Sequence, residues 1–335
     1  MSTESQAMKC LYRDYLSPFI GLTHRLSYPG QPYHHNWHIE LLARTLQLCY
    51  VRQIKRLVIN MPPRYLKSMS VSVALPAWIH GHDPTANIMC VAGHRSLVEE
   101  HHARTHNLMN QAKYRAIFPH VDVVETGNEL RLAHGGTRRG FTPRDGITGH
   151  GADFIIIDDP LPANLTENDD ARARINRWYD ETVYQRLDDK TNGVIIVVMQ
   201  RLHDDDLCGH LSGREGWGLL NLKAIAEKDE IYPGLFGDRV IRAKGEALHP
   251  ELEDRDQLIK AMLNMGAKTF MAQYQQEPYL PGKGEGCHGG STDELRSLGI
   301  MIPKDSEAFV PISEERYVLR DVFDQVDAVE KLDYT

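Results

Sequence analysis

The stretch Arg56-Leu57-Val58-Ile59-Asn60-Met61-Pro62-Pro63-Arg64-Tyr65-Leu66-Lys67-Ser68 decides how this chain is read. An apolar run of strand length ends on Asn60, a Pro-Pro turn follows, and a Lys-Ser pair opens an amphipathic segment from about Met69. Phosphate-binding loops are built in this order. Backbone N–H groups at a helix start approach the phosphate, lysine neutralises its oxygens, and the hydroxyl ligates Mg2+. Against the pattern G-x-x-x-x-G-K-[ST], Met61 and Leu66 stand where the glycines belong. Taken alone, the stretch reads equally as an ordinary helix start.

A second run changes the balance. Phe154-Ile155-Ile156-Ile157-Asp158-Asp159-Pro160 is a buried-looking strand ending on two adjacent carboxylates, where open parallel sheets place their ligands. Asp158 is suited to hold Mg2+ and Asp159 to orient or deprotonate an attacking water. The plainer reading is a pair of loop or capping aspartates before Pro160. The two runs lie about 90 residues apart, a spacing that suits neighbouring strands of one sheet. A third run, Met199-Gln200-Arg201-Leu202-His203-Asp204-Asp205-Asp206-Leu207, follows the strand Val194–Val198. Gln200 and Arg201 at a strand end face the nucleotide and are candidates to sense a γ-phosphate, while Asp204 reads as a helix N-cap.

The bulk numbers fit a globular chain of one large or two moderate domains: 335 residues, 41% hydrophobic and 25% charged. No apolar run approaches the roughly 18 residues of a membrane span, and Met1-Ser2-Thr3-Glu4 does not open a secretory signal. Cys10, Cys49, Cys90, Cys208 and Cys287 are scattered without zinc-like pairing or disulfide density, which predicts a reducing, cytoplasmic setting. The net charge of −8 argues against a chain coated for wrapping nucleic acid. Five Lys/Arg face eleven Asp/Glu beyond Gly290, so most of the excess sits there. The rest is near neutral, with basic clusters at Arg138-Arg139-Arg144 and Arg172-Arg174-Arg177 that leave room for a local DNA contact. The safer expectation for Arg172, Arg174 and Arg177 is pairing with Asp169, Asp170 and Asp180.

Strand-like and helix-like segments alternate in the way of a mostly parallel sheet flanked by helices. Strands are expected at 55–60, 87–92, 153–158, 194–199 and 219–224. Helices are expected at 38–51, 67–80, 96–111 and 166–187, from about Asp204, and at 266–276, with a short antiparallel excursion in 127–151. His34-His35-x-x-His38 reads as surface or packing histidines rather than a metal site, and His101-His102 as solvated residues of a charged helix. Asp321, Asp324 and Asp327 read as a solvated helix face.

In order, Pro62-Pro63-Arg64-Tyr65-Leu66-Lys67-Ser68, Ile157-Asp158-Asp159-Pro160 and Gln200-Arg201-Leu202-His203-Asp204-Asp205-Asp206-Leu207 resemble the ATPase domain of bacteriophage and prophage terminase large subunits. Trp37-His38, Thr148-Gly149-His150-Gly151-Ala152-Asp153 and Phe270-Met271-Ala272-Gln273-Tyr274-Gln275-Gln276-Glu277-Pro278 extend the likeness from about Tyr33 to Pro278. Gln200 and Leu202 stand where that group usually has Thr and Trp.

The resemblance implies a P-loop NTPase of ASCE type, a Mg2+-dependent ATPase that drives DNA into a procapsid. It implies nucleotide contacts at Pro63, Arg64, Tyr65, Leu66, Lys67, Ser68 and Met69, with Arg64 as the loop arginine. Ser68 and Asp158 become the Mg2+ side, Asp159 the catalytic acid, and Gln200 and Arg201 the coupling segment. Its implied partners are double-stranded DNA, the portal of the procapsid, the terminase small subunit and further copies in a ring. The expected organisation is an N-terminal segment 1–32, an ATPase domain 33–228, a helical subdomain and linker 229–290, and an acidic, poorly structured tail 291–335. Nothing after Pro278 reads as the nuclease that usually follows, so no DNA cleavage is expected. The rival readings are a helicase-like or repair ATPase, and a decayed prophage remnant or binding module without turnover.

Overall fold

The computed structural model describes residues 6–127, 129–233 and 239–278; the expectations for Asp321, Asp324, Asp327 and the acidic tail lie outside them. Ten strands occur among the described residues. They are β1 (Arg56–Asn60), β2 (Asn87–Ala92), β3 (Val123–Thr126), β4 (Glu129–Leu132), β5 (Thr137–Phe141), β6 (Phe154–Asp158), β7 (Val194–Met199), β8 (Gly218–Asn221), β9 (Glu230–Pro233) and β10 (Arg239–Arg242). The first eight form one sheet in the order β3-β4-β5-β2-β6-β7-β1-β8. All pairings from β5 to β8 are parallel, and β3-β4-β5 is the antiparallel excursion. This is the expected mostly parallel sheet flanked by helices. In one respect the sequence reading is corrected: β1 and β6 are not neighbours, because β7 lies between them.

Strand alternation sorts the apolar side chains into two layers. Phe154, Ile156, Val194, Ile196 and Val198 face a core shared with the helices α1 (Gln6–Asp14), α2 (Leu16–Ser27), α3 (Trp37–Tyr50) and α4 (Leu75–His82). Ile155, Ile157, Ile195, Val197 and Met199 face the opposite core with Tyr179, Val183, Leu207 and Leu211. All six residues of β7 are buried, as expected for a central strand covered on both sides.

Between Ser68 and α4 the helix widens into a π-turn over Met69–Ala74. The helix α5 (Arg95–Asn110) follows β2, and α6 (Ala112–Ile117) leads into the excursion. The segment expected to be one helix over 166–187 is α7 (Asp169–Trp178), capped by Asn168, then a π-turn and a 3-10 turn. The helix expected from Asp204 is the short α8 (Leu207–Leu211), capped by Asp206 instead. Two helices, α9 (Arg255–Met265) and α10 (Ala267–Gln273), pack Leu258, Met262 and Phe270 on Ala224 and Ile225 beyond β8.

Candidate functional site

The C-terminal ends of β1, β7 and β6 meet at one corner of the sheet. Lys67 Nζ lies 2.8 Å from Asp159 Oδ2. Ser68 Oγ donates to Asp158 Oδ1 at 3.0 Å, and Ser72 Oγ donates to Asp158 Oδ2 at 2.7 Å. The Gln200 N–H, at the end of β7, reaches Asp159 Oδ1 at 3.3 Å. Thus Lys67, Ser68, Asp158, Asp159 and Gln200, far apart in sequence, form one cluster.

Loop geometry explains the missing glycines. Leu66 sits at φ 63° and Arg64 at φ 67°, both in the left-handed region where glycine is at ease, whereas Met61 does not. The loop therefore keeps a glycine-like turn at Leu66 with a strained leucine, and needs no glycine at Met61, whose side chain is buried in the core. Asp159 is also left-handed, at φ 42°. Its N–H bonds to Val198 O and its carbonyl accepts from Gly93 N–H. A Cβ on Gly93 would stand 2.6 Å from that carbonyl oxygen, so β2 and the acid pair touch backbone to backbone.

The electrostatics are those of a buried acid pair held by one ammonium. Burial and the neighbouring Asp159 push the Asp158 carboxyl up to about 6, against the pull of Lys67 and the two serines. Burial works against the Lys67 ammonium too, but Asp159 and Asp158 outweigh it and hold its pKa above the ordinary lysine value. The Ser68 hydroxyl and the Asp158 carboxylate are hard oxygen donors side by side, a set that suits Mg2+. The cleft beside them is about 180 Å³ and includes Tyr28, His101 and Arg104 in its wall. Larger hollows of about 670 and 540 Å³ lie away from the acid pair. Their arginines are already engaged, Arg95 with Asp145, Arg139 with Glu129 and Arg214 with Asp180, while Arg56 donates to the Lys55 and Gly193 carbonyls. They offer no comparable convergence.

Other expected site residues fall differently. Arg64 is exposed and makes no hydrogen bond or ion pair among the described residues. Pro63 is half-buried, Met69 is buried beside the cleft, and Tyr65 is buried edge-on to His38. Arg201 does not face the cluster as a free cation. It is 2% exposed, its Nε lies 3.0 Å from both Asp206 oxygens, and its Nη2 reaches the His203 carbonyl at 3.2 Å. Its backbone N–H is held by Gln276 Oε1 at 2.9 Å. Gln200 keeps a buried side-chain oxygen without a hydrogen-bond partner among the described residues.

The expectation that His101 is solvated is overturned. Its ring is buried with Nδ1 4.0 Å from Asp158 Oδ2, and burial with Arg138 nearby lowers its pKa to about 4. The missed signal is spacing: Val98, His101, Thr105 and Leu108 form the buried stripe of α5. Arg172 is buried and paired with Asp169, and Asp180 pairs with Arg214 and His210. His38 is buried and held down to about 3, mainly by burial. No group of three metal-capable side chains occurs among the described residues, and none of their helices is long and apolar enough to cross a membrane.

A family model described as the N-terminal part of the T4likevirus-type terminase large subunit matches residues 59–269. The chain belongs to that family. No curated protein matches it. Among solved structures, it is similar to the HK97 bacteriophage large terminase at 15% identity and TM-score 0.43, over 63% of this chain and 44% of that one. It therefore spans less than half of that terminase. It is also similar to the large terminase ATPase domain of Thermus phage P74-26, at 14% identity and TM-score 0.42, covering 75% of this chain and 94% of that domain. An arginine-to-alanine variant of the same domain aligns at 13% identity and TM-score 0.45.

Proposed function

We propose that this chain is the ATP-hydrolysing subunit of a DNA-packaging motor, its nucleotide seated where β1, β7 and β6 end. The supporting observation is the meeting of Lys67 and Ser68 with Asp158 and Asp159 across β7. In this reading Lys67 leaves Asp159 for the phosphate oxygens, and exposed Arg64 turns its guanidinium toward the same charge. Ser68 and Asp158 would hold Mg2+, which when bound supplies positive charge against the phosphate oxygens. Asp159, freed of Lys67, accepts a proton from the attacking water, and Gln200 donates its side-chain amide N–H to the terminal phosphate, leaving its amide oxygen to accept from that water. Arg201 serves as a strut that fixes the end of β7. Pro63, Tyr65, Leu66 and Met69 shape the loop around the nucleotide.

Double-stranded DNA, the portal of a procapsid, the small subunit and neighbouring copies in a ring are the partners this reading requires. The host cytoplasm is its setting. Turnover of ATP by wild type, Lys67→Ala and Asp159→Asn tests it. Both variants are expected to lose about 100-fold or more of the Mg2+-dependent rate; equal rates in all three remove the reading. Stimulation by procapsids, rather than unwinding of a duplex with a free end, distinguishes the motor from a helicase-like ATPase.

A further inference from the structure

The helix after the phosphate loop has a defect with a definite cause. In an α-helix the Ser72 carbonyl would accept from the residue four positions on, which is Pro76. Proline has no N–H to give and its ring crowds that oxygen. The helix opens by one residue instead: Leu75 N–H bonds to Ser70 O, the longer π spacing. The Ser72 carbonyl is met from outside by Arg138 Nη2 at 3.0 Å. Arg138 lies on β5, is 0% exposed, and has no hydrogen-bond partner among the described residues for its Nε and Nη1. A fully buried guanidinium is costly, so its placement against this one carbonyl calls for a reason.

The Ser72 side chain provides that reason. Ser68 and Ser72 are four residues apart and share a helix face. Ser68 bonds one oxygen of Asp158 and Ser72 the other. Two donors on two oxygens of one carboxylate fix its rotation, which a single bond does not. Ser72 is 1% exposed and lies behind Asp158, leaving the Ser68 side open to the cleft.

We infer that Ser72, held in place by Pro76 and Arg138, is a positioning residue that sets the Asp158 carboxylate for a divalent cation. This rests on the nucleotide reading above. Partners behind a ligating group typically change metal affinity by 10–100-fold when removed. The test uses the full chain, a fluorescent non-hydrolysable ATP analogue and a MgCl2 titration. In Ser72→Ala the Mg2+ concentration for half-maximal analogue binding is expected to rise about tenfold. Analogue binding in EDTA is expected to stay unchanged, and Ser72→Thr, which keeps the hydroxyl, to return the midpoint to within about twofold of wild type. A Ser72→Ala midpoint within about twofold of wild type overturns the inference and leaves the nucleotide reading standing. An absence of Mg2+-dependent binding in wild type itself overturns both.

Discussion

Leu66 shows at the scale of one residue how this loop departs from its pattern. Its φ of 63° is the conformation a glycine would supply freely, and a leucine holds it at a cost of about 1–2 kcal/mol. Leu66→Gly removes that strain but also the packing of a half-buried side chain, so urea unfolding is expected to move by less than about 1 kcal/mol. Leu66→Val puts a β-branched residue at positive φ and is expected to destabilise by about 2 kcal/mol or more. At Gly93 the tolerance vanishes. Gly93→Ala drives a methyl against the Asp159 carbonyl, and ATP turnover is expected to fall by at least tenfold while the chain still folds.

Asp158 carries a pH signature. Its carboxyl is raised to about 6 by burial, so between pH 4 and 6 the folded chain binds more protons than the unfolded one. Its contribution to stability is therefore highest below pH 4 and is lost as pH climbs to 6; that of Lys67 is constant across this window. In EDTA, wild type is expected to gain about 1–3 kcal/mol relative to Asp158→Asn as pH falls from 7 to 4, read by urea unfolding. A flat difference would contradict the burial of that charge.

At the scale of elements, the sequence was most legible where a strand is buried on both faces. Val194–Met199 and Asn87–Ala92 are strands over the residues their composition marks, because continuous apolar runs bounded by polar turns leave little choice. The acid pair was legible for the same reason, being the end of such a strand, and the Lys-Ser pair by the Pro-Pro turn that separates it from β1. Periodicity could not show that Pro76 widens a helix, or that α7 gives way to a π-turn at Tyr179. Nor could it show that Arg201 is consumed by Asp206, since that pair is buried only where α8, capped by Asp206, packs its leucines into the core on this face of the sheet.

Gln275 is another residue whose purpose appears only in three dimensions. It clips α10 to the segment after β8, accepting from Ile225 N–H at 2.8 Å and donating to Ile225 O at 2.9 Å. Gln275→Leu leaves both backbone groups buried and unpaired, and is expected to cost about 2–4 kcal/mol in urea unfolding.

Across the whole molecule, the order of strands matters more than any single motif. Because β7 stands between β1 and β6, the lysine and its acid partner bridge a strand, and Gln200 is placed beside both. A ligand that binds only this folded arrangement stabilises all of it: at 100 times its Kd the gain is about 2.7 kcal/mol. Saturating Mg2+ and a non-hydrolysable ATP analogue are thus expected to raise the melting temperature of wild type by about 5–10 °C and to leave Lys67→Ala nearly unmoved.

The backbone contact between Gly93 and Asp159 also decides which side of the ion pair can yield. Both peptide groups of Asp159 are pinned to adjoining strands, so its carboxylate has only two side-chain torsions to turn about. The lysine opposite has a four-carbon tether. Whatever parts the two charges, the acid stays as a fixed post and the ammonium is the latch that swings.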